Sequence, residues 1–191
     1  PLYKACWIES DDKAALDLLH SRQVFAYPTE AVYGLGGDPR APEVFAEILR
    51  LKGARTPGQG MLLVAADWAQ CADWVDGLSA ALIAKLQALA ADRATTFILP
   101  AADNVPAWLR DEATGRIAIR VSRHPLVCQL CAWAGSPLIS TSANPSGAPP
   151  ARSAAEVQHY FPALPVIAGV LGGEDKPSRL LDVANATLIR D

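Results

Sequence analysis

The sequence has no apolar run long enough to cross a membrane as a helix, and no segment typical of a secretory signal. It has no long block of like charge either, and its formal net charge is −3. A general nucleic-acid binder needs clustered lysine and arginine, so this charge pattern argues against one, although it is compatible with a local cationic groove. These absences favour a protein of the cytoplasm with no membrane partner.

Histidine and cysteine are scarce, with three and four residues. Cys128 and Cys131 form a C-x-x-C pair in an apolar segment typical of a helix, but no second pair or well-spaced histidine completes a zinc site. We therefore expect these thiols to be small buried helix residues, and we predict no metal site made by the protein. With so few histidines, no histidine-centred mechanism stands out.

Apolar side chains are abundant, since 51% of the 191 residues are hydrophobic. The length predicts a single domain over residues 1–191. Helical and strand-like patterns alternate along the chain, and the last strands follow one another without helices between them. The pattern predicts an α/β fold with a twisted, mixed parallel and antiparallel sheet flanked by helices. A doubly wound fold is the alternative that alternation leaves open.

Local signals add detail to this prediction. Two helical stretches are expected near 67–76 and 79–90, and a helix from Pro125 to Ala134 should end at Gly135. A short strand is expected at 24–27, followed by a turn and a glycine-rich loop. Ser153 and Glu156 fit a capping box that opens a further helix.

Three polar segments lie next to predicted strands. Residues 140–147, Ser-Thr-Ser-Ala-Asn-Pro-Ser-Gly, follow a short apolar strand, and we call them the hydroxyl-rich segment. Residues 28–30, Pro-Thr-Glu, follow the strand at 24–27, and a loop rich in glycine and proline carries Lys52 and Arg55. Cations beside hydroxyls at strand ends suit a ligand with phosphates or carboxylates. The structural alternatives are an Asn-Pro turn and a solvated loop.

Together and in this order, these segments resemble the threonylcarbamoyl-AMP synthase family, of the TsaC/YrdC type. The matching pieces are 27–34 (Tyr-Pro-Thr-Glu-Ala-Val-Tyr-Gly), Lys52 with Arg55, 117–121 (Ile-Ala-Ile-Arg-Val) before His124, and 140–144 (Ser-Thr-Ser-Ala-Asn), with a weaker match at 177–182. The resemblance covers about residues 13–190. It implies a YrdC-like fold with an open, concave cavity.

The resemblance also implies an enzyme, a nucleotidyltransferase. Its substrates are L-threonine, bicarbonate or carbon dioxide, and ATP, and its products are threonylcarbamoyl-adenylate and pyrophosphate. The product serves the threonylcarbamoyladenosine modification of tRNA, so the implied partners include downstream tRNA-modification proteins and tRNA or another structured RNA. Magnesium is expected to arrive with ATP and not in a cage made by the protein.

Site residues follow from the same resemblance. Lys52 and Arg55 are expected to be catalytic and to hold the ATP phosphates. The residues expected to bind threonine are Thr29, Arg120, Ser140 and Ser178. Ser142 and Asn144 are expected to face the nucleotide. Arg120 would take the threonine carboxylate in a two-point contact that lysine cannot copy. Its structural alternative is half of an ion pair, and that of Thr29 is the cap of a turn.

Three departures mark a divergent member of the family. Lys52 and Arg55 are one residue further apart than in the family pattern. Of the family's Trp-Pro-Gly-Pro-x-Thr segment, residues 91–96 retain only Thr96. Arg179 stands where a small residue is usual, and it would either intrude on the pocket or add a phosphate contact. A non-catalytic or substrate-altered paralogue that binds nucleotide or structured RNA is therefore the alternative function.

Overall fold

The structure is a computed structural model, and it describes residues 2–4, 13–53 and 61–191. Within these ranges the helices are α1 (Lys13–His20), α2 (Pro42–Lys52), α3 (Ala80–Leu89), α4 (Pro125–Ala134) and α5 (Ala154–Tyr160). The strands are β1 (Leu2–Lys4), β2 (Phe25–Pro28), β3 (Tyr33–Gly36), β4 (Leu62–Ala65), β5 (Thr95–Pro100), β6 (Arg116–Val121), β7 (Leu138–Ile139), β8 (Thr141–Ser142), β9 (Val166–Ala168), β10 (Arg179–Asp182) and β11 (Thr187–Arg190). Two short 3-10 turns occupy Ala69–Cys71 and Ala107–Leu109.

The strands form two mixed sheets. One has five strands in the order β1-β9-β2-β3-β8, and the other has six in the order β11-β10-β5-β6-β4-β7. Strand β2 runs parallel to β9 and antiparallel to β3, while β4 runs parallel to β6 and antiparallel to β7. The predicted mixed parallel and antiparallel arrangement flanked by helices is confirmed. Its division into two sheets is a finding of the structure.

Strand β2 shows why the sheet is apolar on both faces. Phe25 and Tyr27 pack into a core with helices α1 and α4, whereas Val24 and Ala26 belong to the larger core that includes residues of α2 and α3. Successive side chains of a strand point to opposite faces, so a continuous apolar run of this kind needs cover on both sides. The helices supply that cover.

Helix ends follow the sequence signals. The His124 ring nitrogen Nδ1 accepts a hydrogen bond from Leu126 N at the start of α4, and Gly135 ends that helix in the left-handed region with φ 63°. Ser153 Oγ accepts a hydrogen bond from Glu156 N at the start of α5. The helix predicted at 67–76 is wrong beyond its short 3-10 turn. Among the described helices, none has the length and apolar character that crossing a membrane requires.

The chain passes from one sheet to the other at Ser140. Strand β7 pairs with β4 in the six-stranded sheet, and β8 pairs with β3 in the five-stranded sheet. Ser140 stands alone between them, and its main-chain N donates to Leu62 O over 2.9 Å. The sheets approach so closely that a Cβ on Gly36 would lie 1.9 Å from Ile139 O, so this position needs glycine. The start of the hydroxyl-rich segment therefore lies where the two sheets meet.

Candidate active site

A cavity of about 910 Å³ opens where the two sheets meet. The five-stranded sheet and its turns contribute Glu30 and Gly34 to its lining, and the six-stranded sheet contributes Ala118 and Leu180. Its volume lies in the range of small-molecule and cofactor sites. The two sheets thus frame one concave site between them.

The cavity collects most of the site residues predicted from sequence. Its lining includes Thr29, Lys52, Arg120, Ser140, Ser142 and Ser178. Arg55, the second predicted phosphate-binding cation, lies outside the described residues. Asn144 is not among the lining residues and contacts the site through Lys52. Residues that are far apart along the chain therefore share one cavity.

Lys52 is tied to the hydroxyl-rich segment. At the last residue of α2, its Nζ donates to Ser142 O over 2.7 Å and to Asn144 O over 3.2 Å, and it lies 3.4 Å from Ser142 Oγ. Three contacts to one segment hold the ammonium at the cavity wall. These contacts exclude the alternative that Lys52 is a solvated side chain of a surface loop.

Asn144 shapes the loop that follows. Its Nδ2 donates to Pro145 O over 2.9 Å and to Ala148 O over 2.8 Å, so the amide folds the Asn-Pro turn. Its Oδ1 is buried and has no hydrogen-bond partner within the described ranges. The expected contact of Asn144 with a nucleotide stays a prediction.

Arg120 and Glu30 form a buried ion pair in the cavity wall. Arg120 Nη2 lies 3.3 Å from Glu30 Oε2, and each side chain is 7% exposed. Arg120 Nε has no hydrogen-bond partner in the part of the chain that the structure describes. Burial raises the pKa of Glu30, but Arg120 and the hydrogen bond from Ser122 outweigh it, so the pKa lies below its ordinary value. Arg120 is thus both half of an ion pair and a cation at the cavity.

Thr29 and Ser140 are two hydroxyls near the junction of the sheets. Thr29 Oγ1 donates to Val32 O over 2.7 Å, which is the turn cap that the sequence left open as an alternative. Its oxygen still has lone pairs to accept a hydrogen bond from a ligand. Ser140 is 4% exposed and lies beside Tyr27, whose buried hydroxyl donates to Ile139 O over 2.7 Å. Burial raises the pKa of Tyr27 above its ordinary range, although the nearby Ser140 side chain opposes this shift.

Ser178 is held by partners that sequence reasoning missed. Its Oγ shares a hydrogen bond of 2.8 Å with Thr96 Oγ1, and its carbonyl accepts from Arg190 Nη2 over 2.8 Å and from Arg190 Nε over 3.1 Å. Burial lowers the pKa of Arg190, and the nearby positive charge of Arg120 adds to this shift. Arg190 lies on β11 in a short strand with no polar motif around it, so no local signal marked it.

Arg179 does not enter the cavity. Its Nη2 donates to Asp92 Oδ2, and its Nε lies 3.7 Å from Asp191 Oδ1. These acidic partners hold the guanidinium among residues that do not line the cavity. Neither of the two roles considered for this departure from the family pattern is supported. The surviving Thr96, in contrast, does line the cavity.

The lining has an excess of positive charge. Its described cations are Lys52, Arg120, Lys176 and Arg190, and Glu30 is the one acid among the described lining residues. Such a site favours ligands with carboxylates and phosphates. The described residues contain no group of three or more His, Cys, Asp or Glu that could hold a metal ion.

Neither cysteine of the C-x-x-C pair lines this cavity. Cys131 is buried, and burial raises the pKa of its thiol to about 12. Burial also raises the pKa of Cys128, whose Sγ donates to Ser122 O. The raised pKa values make both thiols poor nucleophiles at neutral pH. Cys131 is buried in the helix as predicted, whereas Cys128 is only half-buried.

Known proteins resemble this chain over nearly its whole length. Residues 17–191 match the Sua5/YciO/YrdC family model, which is described as "Telomere recombination". A threonylcarbamoyl-AMP synthase of Dichelobacter nodosus is 48% identical over 188 residues, which cover 98% of each chain. The threonylcarbamoyl-AMP synthase of Escherichia coli K12 is 40% identical over 182 residues, which cover 93% of each chain.

Solved structures share the fold at lower identity. P. abyssi Sua5 complexed with L-threonine superposes with a TM-score of 0.80 at 23% identity, over 96% of this chain and 54% of that chain. E. coli YciO superposes with a TM-score of 0.79 at 22% identity, over 100% of this chain and 95% of that chain. The chain thus spans about half of the longer Sua5 protein and nearly all of the YciO protein.

Proposed function

The chain belongs to the Sua5/YciO/YrdC family, and on this premise we propose that it is a threonylcarbamoyl-AMP synthase. It is then a nucleotidyltransferase that joins L-threonine, bicarbonate or carbon dioxide, and ATP into threonylcarbamoyl-adenylate, with release of pyrophosphate. Relatives that carry this name are 40–48% identical to it over at least 92% of its length. We place this activity in the cytoplasm, where its product would serve tRNA modification.

The observation that carries the proposal is the convergence of predicted residues on one cationic cavity. Arg120 and Lys52 come from different elements, and both line this cavity together with Ser140 and Ser178. The reaction brings an amino-acid carboxylate and a triphosphate side by side, so it needs positioned cations and hydrogen-bond donors. The cavity supports the proposal, because Lys52 and Arg120 are cations and Ser140 and Ser178 carry hydroxyl groups.

The proposed residues would bind the substrates and stabilise the charge that the reaction brings together. The neutral amine of threonine adds to carbon dioxide and loses a proton, which gives a carbamate. A carbamate oxygen then attacks the α-phosphorus of ATP, and the bond to the pyrophosphate leaving group breaks. Arg120 would hold the threonine carboxylate, with Thr29, Ser140 and Ser178 around the amino acid. Lys52 and Arg55 would neutralise the charge on the phosphates, and Ser142 and Asn144 would face the nucleotide.

Magnesium would reach the site as a partner of ATP. Glu30 is paired with Arg120, and the described lining offers no second carboxylate with which to build a cage for the ion. The triphosphate and water would therefore supply most of its ligands.

Structured RNA and downstream tRNA-modification proteins are the macromolecular partners that the proposal implies. None of the comparisons favours a non-catalytic relative.

The direct test is pyrophosphate release by the purified chain with ATP and magnesium. We expect release only when L-threonine and bicarbonate are both present, and mass spectrometry should detect threonylcarbamoyl-adenylate before it hydrolyses. Pyrophosphate release that does not depend on L-threonine would contradict the proposal, and so would no release when all substrates are present. Replacing L-threonine with other amino acids separates a substrate-altered enzyme, which would prefer another acceptor.

A further inference from the structure

Glu30 is a carboxylate in a cavity that otherwise collects cations, and it is held rigidly. Its Oε1 accepts hydrogen bonds from Ser122 Oγ over 2.8 Å and from Arg123 N over 3.1 Å, so the two residues that follow β6 hold one carboxylate oxygen. Its carbonyl accepts from Glu174 N over 3.0 Å. A Cβ on Gly172 would lie 2.9 Å from Glu30 Cα, which shows how tightly the neighbouring loop packs against this main chain. The carboxylate therefore has little freedom to move.

The second carboxylate oxygen of Glu30 balances the positive charge of Arg120 without accepting a hydrogen bond from it. Oε2 lies 3.3 Å from Arg120 Nη2, but the pair lacks the geometry of a hydrogen bond, and Oε2 and Arg120 Nε are both without partners in the described part of the chain. Arg120 keeps its N–H groups for another acceptor, although the negative charge of Glu30 stabilises it in a buried wall.

A counter-ion matters here because Arg120 has a cationic neighbour. Arg120 and Arg190 line the same cavity, and like charges at one site repel each other. Burial lowers the pKa of Arg190, and the charge of Arg120 adds to this shift. Without a fixed negative charge on its other side, Arg120 would turn away from this repulsion. Glu30 supplies that charge from a position set by Ser122 and Arg123.

We propose that Glu30 is a positioning residue, which holds the Arg120 guanidinium so that its free N–H groups receive the carboxylate of the amino-acid substrate. This inference rests on the proposed function, because it takes L-threonine as that substrate. Glu30 itself touches no substrate atom. Its loss should therefore weaken the binding of the carboxylate and leave the binding of ATP unchanged.

The primary test is Glu30→Gln, with L-threonine and ATP affinities measured separately by calorimetry in bicarbonate-free buffer. We expect L-threonine binding to weaken by at least about tenfold, the loss of one charge-assisted contact, while ATP binding stays within about twofold. The matched control is Glu47→Gln, the same chemical change in an ion pair with the exposed Arg50. This control should leave both affinities at the wild-type value.

Two threonine analogues show which part of the ligand feels the change. 3-Hydroxybutyrate keeps the carboxylate and lacks the amine, whereas threoninol keeps the amine and lacks the carboxylate. Competition experiments should show that Glu30→Gln weakens the binding of 3-hydroxybutyrate as much as that of threonine, and leaves the binding of threoninol unchanged. The opposite pattern would mean that Glu30 contacts the amine directly, and it overturns the proposal.

A second variant covers the case in which Glu30→Gln does not fold. Ser122→Ala removes one hydrogen bond from the Glu30 carboxylate and keeps its charge. We expect it to weaken L-threonine binding about two- to fivefold, as the loss of one modest hydrogen bond does. Equal losses of threonine and ATP affinity in the folded variants indicate a general structural role and overturn the positioning role.

The wild-type chain separates the two possible failures. If it neither binds L-threonine nor releases pyrophosphate with it, the proposed function fails. If it does both, and the variants bind threonine as tightly as the wild type, the positioning role of Glu30 alone is overturned.

Discussion

Replacing Arg120 with lysine should weaken L-threonine binding and leave the fold intact. Arg120 is 5% exposed and pairs with Glu30, so removing its charge would leave a buried carboxylate without a cation, at a cost of about 3–5 kcal/mol. Arg120→Ala would therefore mix a binding defect with a folding defect. Lysine keeps the positive charge, which limits the damage to the geometry of the guanidinium.

The size of the effect follows from the contacts that lysine cannot make. A guanidinium can present two parallel N–H groups to one carboxylate, and an ammonium acts as a single point of charge. The loss of one hydrogen bond to a charged group costs about 1.5–3 kcal/mol. The dissociation constant of L-threonine should therefore rise about 10- to 150-fold.

The assay is the KM for L-threonine in pyrophosphate release at saturating ATP, with thermal unfolding as the check on folding. Arg116→Lys is the matched control, because Arg116 lies on the same strand and pairs with Asp182 outside the cavity lining. We expect the control to keep the wild-type KM for threonine. A KM for Arg120→Lys within about threefold of the wild type, with a folded protein, would refute the two-point contact.

Three further outcomes test the fold around the site. Gly36→Ala places a Cβ 1.9 Å from the main-chain Ile139 O, so urea unfolding should show a loss of about 1–3 kcal/mol or more, and wild-type stability would contradict the close approach of the sheets. Leu86→Ala in α3 should cost about 2–5 kcal/mol in the same assay and leave the KM for threonine unchanged, because Leu86 is fully buried away from the cavity lining. Arg116 holds the pKa of Asp182 below its ordinary 3.8. The pair therefore stabilises the fold above that pH, and this stability is lost as the pH falls through the lowered pKa, so Asp182→Asn should be less stable than the wild type at pH 7 and the difference should shrink in acid.

The sequence predicted the polar ends of strands well, because hydroxyls and glycines there are locally conspicuous. Thr29 and Ser140 follow short apolar runs, and both line the predicted cavity. The caps of α4 and α5 were also predictable, since capping depends on residues a few positions apart.

Features that depend on distant partners could not be predicted in this way. Glu30 lies in the Pro-Thr-Glu segment, but the sequence gives it no role until the fold brings it to Arg120. Arg190 lies in no polar motif, and its contact with Ser178 depends on the fold. The sequence predicts a glycine-rich loop where strand β3 lies, because glycine has a low propensity for strands. Gly36 is nevertheless part of the strand, since Ile139 O and Tyr27 approach its main chain too closely for a side chain. The segment 67–76 has an apolar pattern but packs Trp68 and Trp74 into the core through turns and not through a helix. Contacts between residues that are far apart along the chain cannot be identified from the local composition of either segment.

The single-residue link at Ser140 makes the length of this stretch a hard constraint. Strand β7 is registered against β4 on one side of Ser140, and β8 is registered against β3 on the other. One inserted or deleted residue would shift a strand by one position and turn its side chains to the opposite face. The position of Ser140 and Ser142 in the cavity and the contacts of Lys52 with the segment would then be lost together. Substitutions can therefore be tolerated in this stretch, whereas changes of length cannot.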